Sequence, residues 1–212
     1  MAKTIVGLFD TFAHAQSAVN DLVTAGFNRD DISVVANNAS GEFGSHDTDG
    51  GGINVSQGAG DAVKGAAKGG LFGGLTGLAA AVALALVPGI GPIAAIGPLA
   101  AFFGGATLGA TAGGVLGGLT GLGVPEADAH YYAEGVRRGG TLVTVHADES
   151  RASEATMILN RYNAVDIGKR GEAYRSSGFS GYAETAPHYT PEQIQAERSM
   201  YATPITGTTS RM

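Results

Sequence analysis

The stretch from Gly69 to Pro125 constrains this chain most, because it contains no Asp, Glu, Lys, Arg or His and holds roughly half of the 35 glycines. Glycines recur there, and just upstream, at four-residue spacing: Gly65, Gly69, Gly73 and Gly77, then Gly105, Gly109, Gly113, Gly117 and Gly121. A helical glycine costs about 1 kcal/mol relative to alanine, so such a register needs a compensating contact. Close approach of two helix backbones supplies one. We therefore predict a glycine-zipper helical hairpin over residues 59–124.

The turn of this hairpin is predicted at Val87–Pro92, where proline and glycine alternate. Its arms, Leu71–Val87 and Leu99–Gly123, each approach the ~20 residues that cross the hydrocarbon core of a bilayer. Such a long uncharged surface exceeds the apolar patch that a monomer normally exposes. Either lipid or further copies of the chain are expected to cover it.

Charge and composition exclude several classes of function. The net charge of −6 argues against a nucleic-acid partner, because phosphate binding needs a concentrated positive field. The chain has no cysteine, which excludes a disulfide framework, a thiolate metal site and a cysteine nucleophile. The absence of cysteine also suits a reducing cytosol.

Hydrophobic periodicity on either side of the insert predicts a small α+β domain. Residues 1–36 indicate strand, helix and strand, with Asp10 or Thr11 as the helix cap. Residues 125–175 indicate helix, strand, helix and a short strand at Val165–Ile167. Two such units predict a ferredoxin-like, split β-α-β fold interrupted by the hairpin. Residues 37–58 are expected to be a flexible linker.

The remaining segment, residues 176–212, is expected to be a C-terminal tail. Within it, Thr190-Pro191-Glu192-Gln193 has the pattern of a capping box with proline at the first helical position, which predicts one short helix.

The ordered set of these segments resembles a known family. The opening TIVGLFDTFAHAQSAVNDLVTAGFNRDDISVVA is similar to the N-terminal module of bacterial general-stress proteins described as heat- or low-temperature-induced. The glycine-rich segment followed by EADAHYYAEGVRRGGTLVTVHAD extends the resemblance to roughly residues 3–170. The resemblance implies a non-enzymatic, stress-associated protein, and it supplies no catalytic residues.

No motif in the chain predicts catalysis, a cofactor or a metal site. His130 with Tyr131, and His146 near Asp148, are the side chains closest to a base or a ligand cluster, but no nucleophile or oxyanion donor accompanies them. Sheet-end packing and helix capping are the favoured explanation of these side chains. Asp47 and Asp49 lack the third oxygen ligand and the closing glutamate of a calcium loop.

Basic residues flank the uncharged insert at Lys64, Lys68, Arg137 and Arg138. If the hairpin spans a bilayer, they contact lipid headgroups, and both termini lie in the cytoplasm. The alternative is that they solvate helix ends.

Three hypotheses of function remain. The first is a structural stress protein that self-associates through a hairpin inserted in or on the cytoplasmic membrane. The second is a soluble homo-oligomer, such as a ring, shell or filament, whose hairpins pack together away from lipid. The third is a small-ligand sensor or enzyme built on the ferredoxin-like domain.

Overall fold

The computed structural model describes residues 2–39, 83–87, 91–97, 99, 114–183, 186–187 and 189–201. Within these residues the strands are β1 (Ala2–Phe9), β2 (Ile32–Asn37), β3 (Ala83–Val87), β4 (Gly91–Ile96) and β5 (Thr141–Asp148). The helices are α1 (Phe12–Thr24), α2 (Gly114–Gly121), α3 (Glu126–Arg137), α4 (Glu149–Arg161), α5 (Ile167–Ser176) and α6 (Pro191–Tyr201). The predicted α+β class is confirmed.

The first β-α-β unit forms as its sequence predicts. The Thr11 side chain caps α1 by accepting a hydrogen bond from the His14 amide at 3.3 Å. Gly26, with φ of 86°, follows the end of the helix in the left-handed conformation that glycine adopts most easily. A 3-10 turn, Arg29–Asp31, then leads into β2.

All five strands belong to one sheet, in the order β1-β5-β2-β4-β3, and every pairing is antiparallel. β5 lies between β1 and β2, which therefore run parallel to each other on its two sides. The strand that follows the insert thus fits between the two strands that precede it. This pairing brings the start and end of the insert to the same domain.

The predicted fourth strand at Val165–Ile167 is wrong. The Val165 amide donates one hydrogen bond to the carbonyl of Leu8, at 2.8 Å, but the ladder goes no further. Asp166 instead caps α5, its side chain accepting from the Lys169 amide at 3.1 Å. The helix-capping preference of Asp166 outweighs the strand preference of the two β-branched residues beside it, Val165 and Ile167. The fourth strand of a ferredoxin-like sheet is therefore missing.

The first predicted helical arm is wrong where the structure describes it. The last five residues of the first arm are the strand β3, and the last two residues of the predicted turn, with the residues after it up to Ile96, are β4. In the second arm, Gly114–Gly121 is a helix as predicted. A short run of Ala, Leu and Val fits a buried strand as well as a helix, and periodicity does not separate the two. Burial of Ile93, Ala94 and Ala95 on the sheet decides the outcome.

Helices cover both faces of the sheet, and successive strand residues alternate between two cores. On one face, α1 and α4 pack on a core that includes Phe9, Val34 and Val143. On the other, α2 and α3 pack on a core that includes Leu8, Val35 and Leu142. The alternation follows from the two-residue period of a strand. The sheet is a central layer between two helical layers.

The exit from β4 depends on Gly97. Its φ is 83°, and a Cβ there would collide with the carbonyl oxygen of Ile32. Two residues later, the Leu99 amide donates to the buried Ser33 hydroxyl at 3.0 Å. These contacts hold the end of the β3–β4 hairpin against β2.

We predict that Gly97→Ala detaches β4 from β2, whereas Gly26→Ala is the matched control because its φ is also positive but nothing lies within 4 Å. The control should lose about 1–2 kcal/mol of unfolding free energy from backbone strain alone. Gly97→Ala should lose clearly more, because the neighbouring backbone must also move. Urea denaturation and amide hydrogen exchange measure both effects. Equal losses, with β4 amides still protected, would contradict this account.

Candidate functional site

A buried carboxylate lies at the carboxyl end of α3. Glu134 is 1% exposed, and its oxygens accept from Arg137 at 3.0 Å and from Arg138 at 2.7 Å. The spacing of three and four residues places both arginines on the same side of the helix as the glutamate. A carboxylate buried to this degree needs charged partners. Glu134 is therefore held in place by the two residues that neutralise it.

Arg138 connects this pair to the C-terminal helix. It donates to Glu197 of α6 at 2.9 Å, and its guanidinium lies 4.5 Å from the ring centroid of Tyr174. Burial acts against the charge of Arg138, but its hydrogen bond to Glu134 and the nearby negative charges outweigh burial and raise its pKa. Arg138 is thus a permanently charged link between α3, α5 and α6.

A second arginine joins α5 to the end of β1. Arg170 donates two hydrogen bonds to Asp10, at 2.8 and 2.9 Å, and stacks on the Tyr201 ring at 3.8 Å. The pKa of Arg170 is raised, since the bonds to Asp10 outweigh its desolvation. Burial raises the pKa of Tyr174 to about 12, although Arg170 and Arg138 act in the opposite direction.

The helix α6 is formed and docked by recognisable sequence features. Its capping box is present: the Thr190 amide donates to the Gln193 side chain at 2.9 Å, and the Gln193 amide donates back to the Thr190 hydroxyl at 3.3 Å. The predicted helix is confirmed. Gly139, at φ 98°, lets the Ile194 side chain approach where a Cβ would collide with it. Arg198 then donates to the Gly139 carbonyl at 2.8 Å.

These contacts form the arginine cluster, which is named after Arg137, Arg138, Arg170 and Arg198 and includes Asp10, Glu134 and Glu197. It surrounds a cavity of about 10 Å³ lined by Asp10, Gly135, Arg138, Gly140, Arg170, Tyr174, Glu197, Arg198 and Tyr201. Guanidinium groups recognise oxyanions through paired hydrogen bonds. The chemistry that this arrangement supports is therefore oxyanion binding.

The predicted zipper glycines are only partly within the described residues. Gly65, Gly69, Gly73, Gly77, Gly105, Gly109 and Gly113 lie outside them. Gly117 and Gly121 lie in α2, and neither is buried, whereas Val115, Gly118 and Leu119 of the same helix are. The two described members of the stripe are therefore on the side of α2 that faces away from the core.

The predicted headgroup contacts divide in the same way. Lys64 and Lys68 lie outside the described residues. The side chains of Arg137 and Arg138 are 14% and 12% exposed and are bonded to Glu134. A lipid contact by these two arginines stays a prediction, and it requires the arginine cluster to open.

The histidine and tyrosine candidates have separate structural partners. The Tyr182 amide donates to Nδ1 of His130 at 3.1 Å, and Arg175 donates to the Tyr131 hydroxyl at 3.0 Å. His146 lies 3.3 Å from the Thr4 hydroxyl at the exposed end of the sheet. None of the three lines the cavity of the arginine cluster. Sequence reasoning missed that cluster, although the spacing of Glu134, Arg137 and Arg138 could have indicated its first part.

Two kinds of feature are absent from the described residues. No group of three or more His, Cys, Asp or Glu side chains in them could hold a metal ion, and Asp47 and Asp49 lie outside them. None of the helices that the structure describes combines the length and the hydropathy of a membrane span.

Comparison with known proteins supports the resemblance drawn above. Residues 4–81 match a family model described as the heat induced stress protein YflT domain. The described part of this match runs from β1 to the residues just after β2. No curated protein and no solved structure matches the chain. Over residues 4–81 the chain is therefore similar to the heat induced stress protein YflT domain, and the resemblance to the bacterial general-stress proteins is confirmed for those residues.

Proposed function

We propose that this chain is a non-enzymatic structural stress protein that self-associates through its Gly/Ala-rich insert, with copies packed against one another away from lipid. The observation that carries the proposal is the edge strand β3. It ends the sheet among the described residues, and its sequence ALALV contains no charge and no proline. Unprotected strands of this kind pair readily with another chain.

The two edges of the sheet differ in a way that favours β3 as the contact. At the other edge, β1 carries the exposed Lys3, which is ion-paired with Glu149 at 2.5 Å. The Leu8 carbonyl of β1 also accepts a hydrogen bond from Val165. Charge and a covering segment are the usual protections of an edge strand. β3 has neither protection from the residues that the structure describes.

The helix α2 adds a second surface of the same insert. Gly117 and Gly121 are partly or fully exposed, while Leu119 is buried in the core. Small residues at four-residue spacing let helix backbones approach closely. A stripe turned away from its own core is available to the same stripe of a second copy.

The membrane hypothesis is less favoured, because the described strands shorten the predicted arms. With β3 at Ala83–Val87, residues 71–82 remain of the first arm, well short of the ~20 residues that a span needs. β2 and β3 also belong to one sheet, so residues 40–82 would have to cross a bilayer an even number of times. Residues 40–58 are too polar for one of two crossings.

A catalytic role is less favoured for a different reason. Among the described residues, the candidate for an active site is the arginine cluster. Its charged groups are carboxylates, which accept hydrogen bonds, and guanidinium groups, which stay positively charged. The residues that line its cavity include no Ser, Thr, Cys, His or Lys side chain, and the two carboxylates among them, Asp10 and Glu197, are bonded to arginines.

We predict that Ala85→Lys, in the middle of β3, lowers the mass of the assembly toward the 21.2 kDa of one chain. The added charge resists burial against a second strand. The control is Asn160→Lys, which makes the same charge change at an exposed position of α4. Analytical ultracentrifugation without and with detergent measures the mass. A wild-type protein that is monomeric without detergent, or that stays with membranes after carbonate washing, would refute the proposal.

The glycine stripe is tested in the same centrifugation assay by a second pair of variants. Gly117→Leu should weaken the assembly, because a side chain on the stripe separates the two backbones. Thr120→Leu places the same side chain at an exposed position of α2 outside the register and should leave the mass unchanged. Circular dichroism confirms that both variants remain folded. Equal effects of the two substitutions would exclude a contact through the stripe.

A further inference from the structure

We propose that the arginine cluster beneath α6 is a binding site for a phosphate group, and that Glu197 is the built-in competitor for it. The inference is independent of self-association. It rests on the balance of charge in the cluster, on the incomplete bonding of Glu197 and on the size of the cavity beside it.

Positive charge is in excess in the arginine cluster. Among the described residues, its four arginines meet three carboxylates, although the whole chain has a net charge of −6. Of these four arginines, Arg198 has no carboxylate partner among the described residues. It donates from two nitrogens to the Gly139 carbonyl, at 3.2 and 2.8 Å. A dianion would supply the negative charge that this arrangement lacks.

The carboxylate of Glu197 is only partly hydrogen-bonded within the cluster. One of its oxygens accepts from Arg138 at 2.9 Å. The other, Oε2, is buried and has no hydrogen-bond partner among the described residues, and the same holds for Nε of Arg137. Buried polar atoms are normally paired, so an acceptor and a donor are left unused in one cluster. A phosphate has more acceptor oxygens than a carboxylate and can bond more of the guanidinium donors that line the cavity, those of Arg138, Arg170 and Arg198.

The cavity determines how such a group enters. Its volume of about 10 Å³ accommodates about one water molecule. A phosphate therefore fits only if the Glu197 carboxylate moves out. Gly135 and Gly140 are among the lining residues and present backbone, without side chains, to the group that replaces it.

Displacement of Glu197 would loosen α6. The helix buries one large apolar side chain, Ile194, and is otherwise held by the bonds of Glu197 and Arg198 and by the stacking of Tyr201 on Arg170. Phosphate binding breaks the hydrogen bond between Glu197 and Arg138, and the phosphate competes with the Gly139 carbonyl for the donors of Arg198. The site thus couples occupancy by an oxyanion to the docking of the C-terminal helix.

The experiment uses the absence of cysteine in the chain. A spin label is attached to Met200→Cys, since Met200 is 67% exposed on α6, and in a separate sample to Met157→Cys, which is 62% exposed on α4. Inorganic phosphate is titrated at constant ionic strength, with chloride as the balancing anion. We expect phosphate to increase the mobility of the label on α6, with saturation, and to leave the label on α4 unchanged.

Two substitutions identify the site. Glu197→Gln removes the competing charge and should tighten phosphate binding by about tenfold. Arg198→Gln should weaken binding by about tenfold, because it removes the arginine without a carboxylate partner. Arg161→Gln is the matched control, since Arg161 is an exposed arginine on α4. Arg138 is not substituted, because its loss would leave the buried Glu134 with one partner.

Vesicles that contain phosphatidic acid separate the two sources of a phosphate group. A response to inorganic phosphate supports the site, and an added response to the vesicles assigns its ligand to a lipid headgroup. Equal responses to phosphate and chloride, or equal affinities of wild type and Arg198→Gln, overturn the proposal.

Discussion

The position of β5 between β1 and β2 is the constraint on which the rest of this structure depends. Val145 of β5 stands opposite Ile5 on one side and opposite Ile32 on the other, so one strand closes both ladders. The chain reaches this arrangement only after the whole insert has been made, because β5 follows it in sequence. The insert is therefore a long connection whose two ends are fixed by the same sheet, and its first described part, β3 and β4, continues that sheet beyond β2.

The parts of the fold that were predicted are those with strong local signals. The cap at Thr11, the turn at Gly26 and the capping box at Thr190 are short-range chemistry, and each forms as expected. The β3–β4 hairpin could not be predicted in this way, since a run such as ALALV has no period that separates a buried strand from a helix. The two segments are strands because β4 pairs with β2, which lies far away in sequence, and β3 pairs with β4.

The arginine cluster escaped prediction for a related reason. The spacing of Glu134, Arg137 and Arg138 is local, but the partners that complete the cluster come from the end of β1, from α5 and from the C-terminal tail. The short helix predicted in the tail is docked on the domain through Glu197 and Arg198. The same cluster thus joins both ends of the described chain. The carboxylates of the cluster can be buried because each has an arginine partner.

The central claim is that residues 83–87 and 91–96 of the Gly/Ala-rich insert are strands of the sheet and not parts of a helical hairpin. Carbon-13 chemical shifts of Ala83–Val87 and Gly91–Ile96 in the intact protein test it most directly. The account predicts extended-strand shifts for both segments, with cross-strand proton contacts between Val35 and Ala95. Helical shifts through residues 83–87, or the absence of contacts between residues 91–96 and β2, would contradict it.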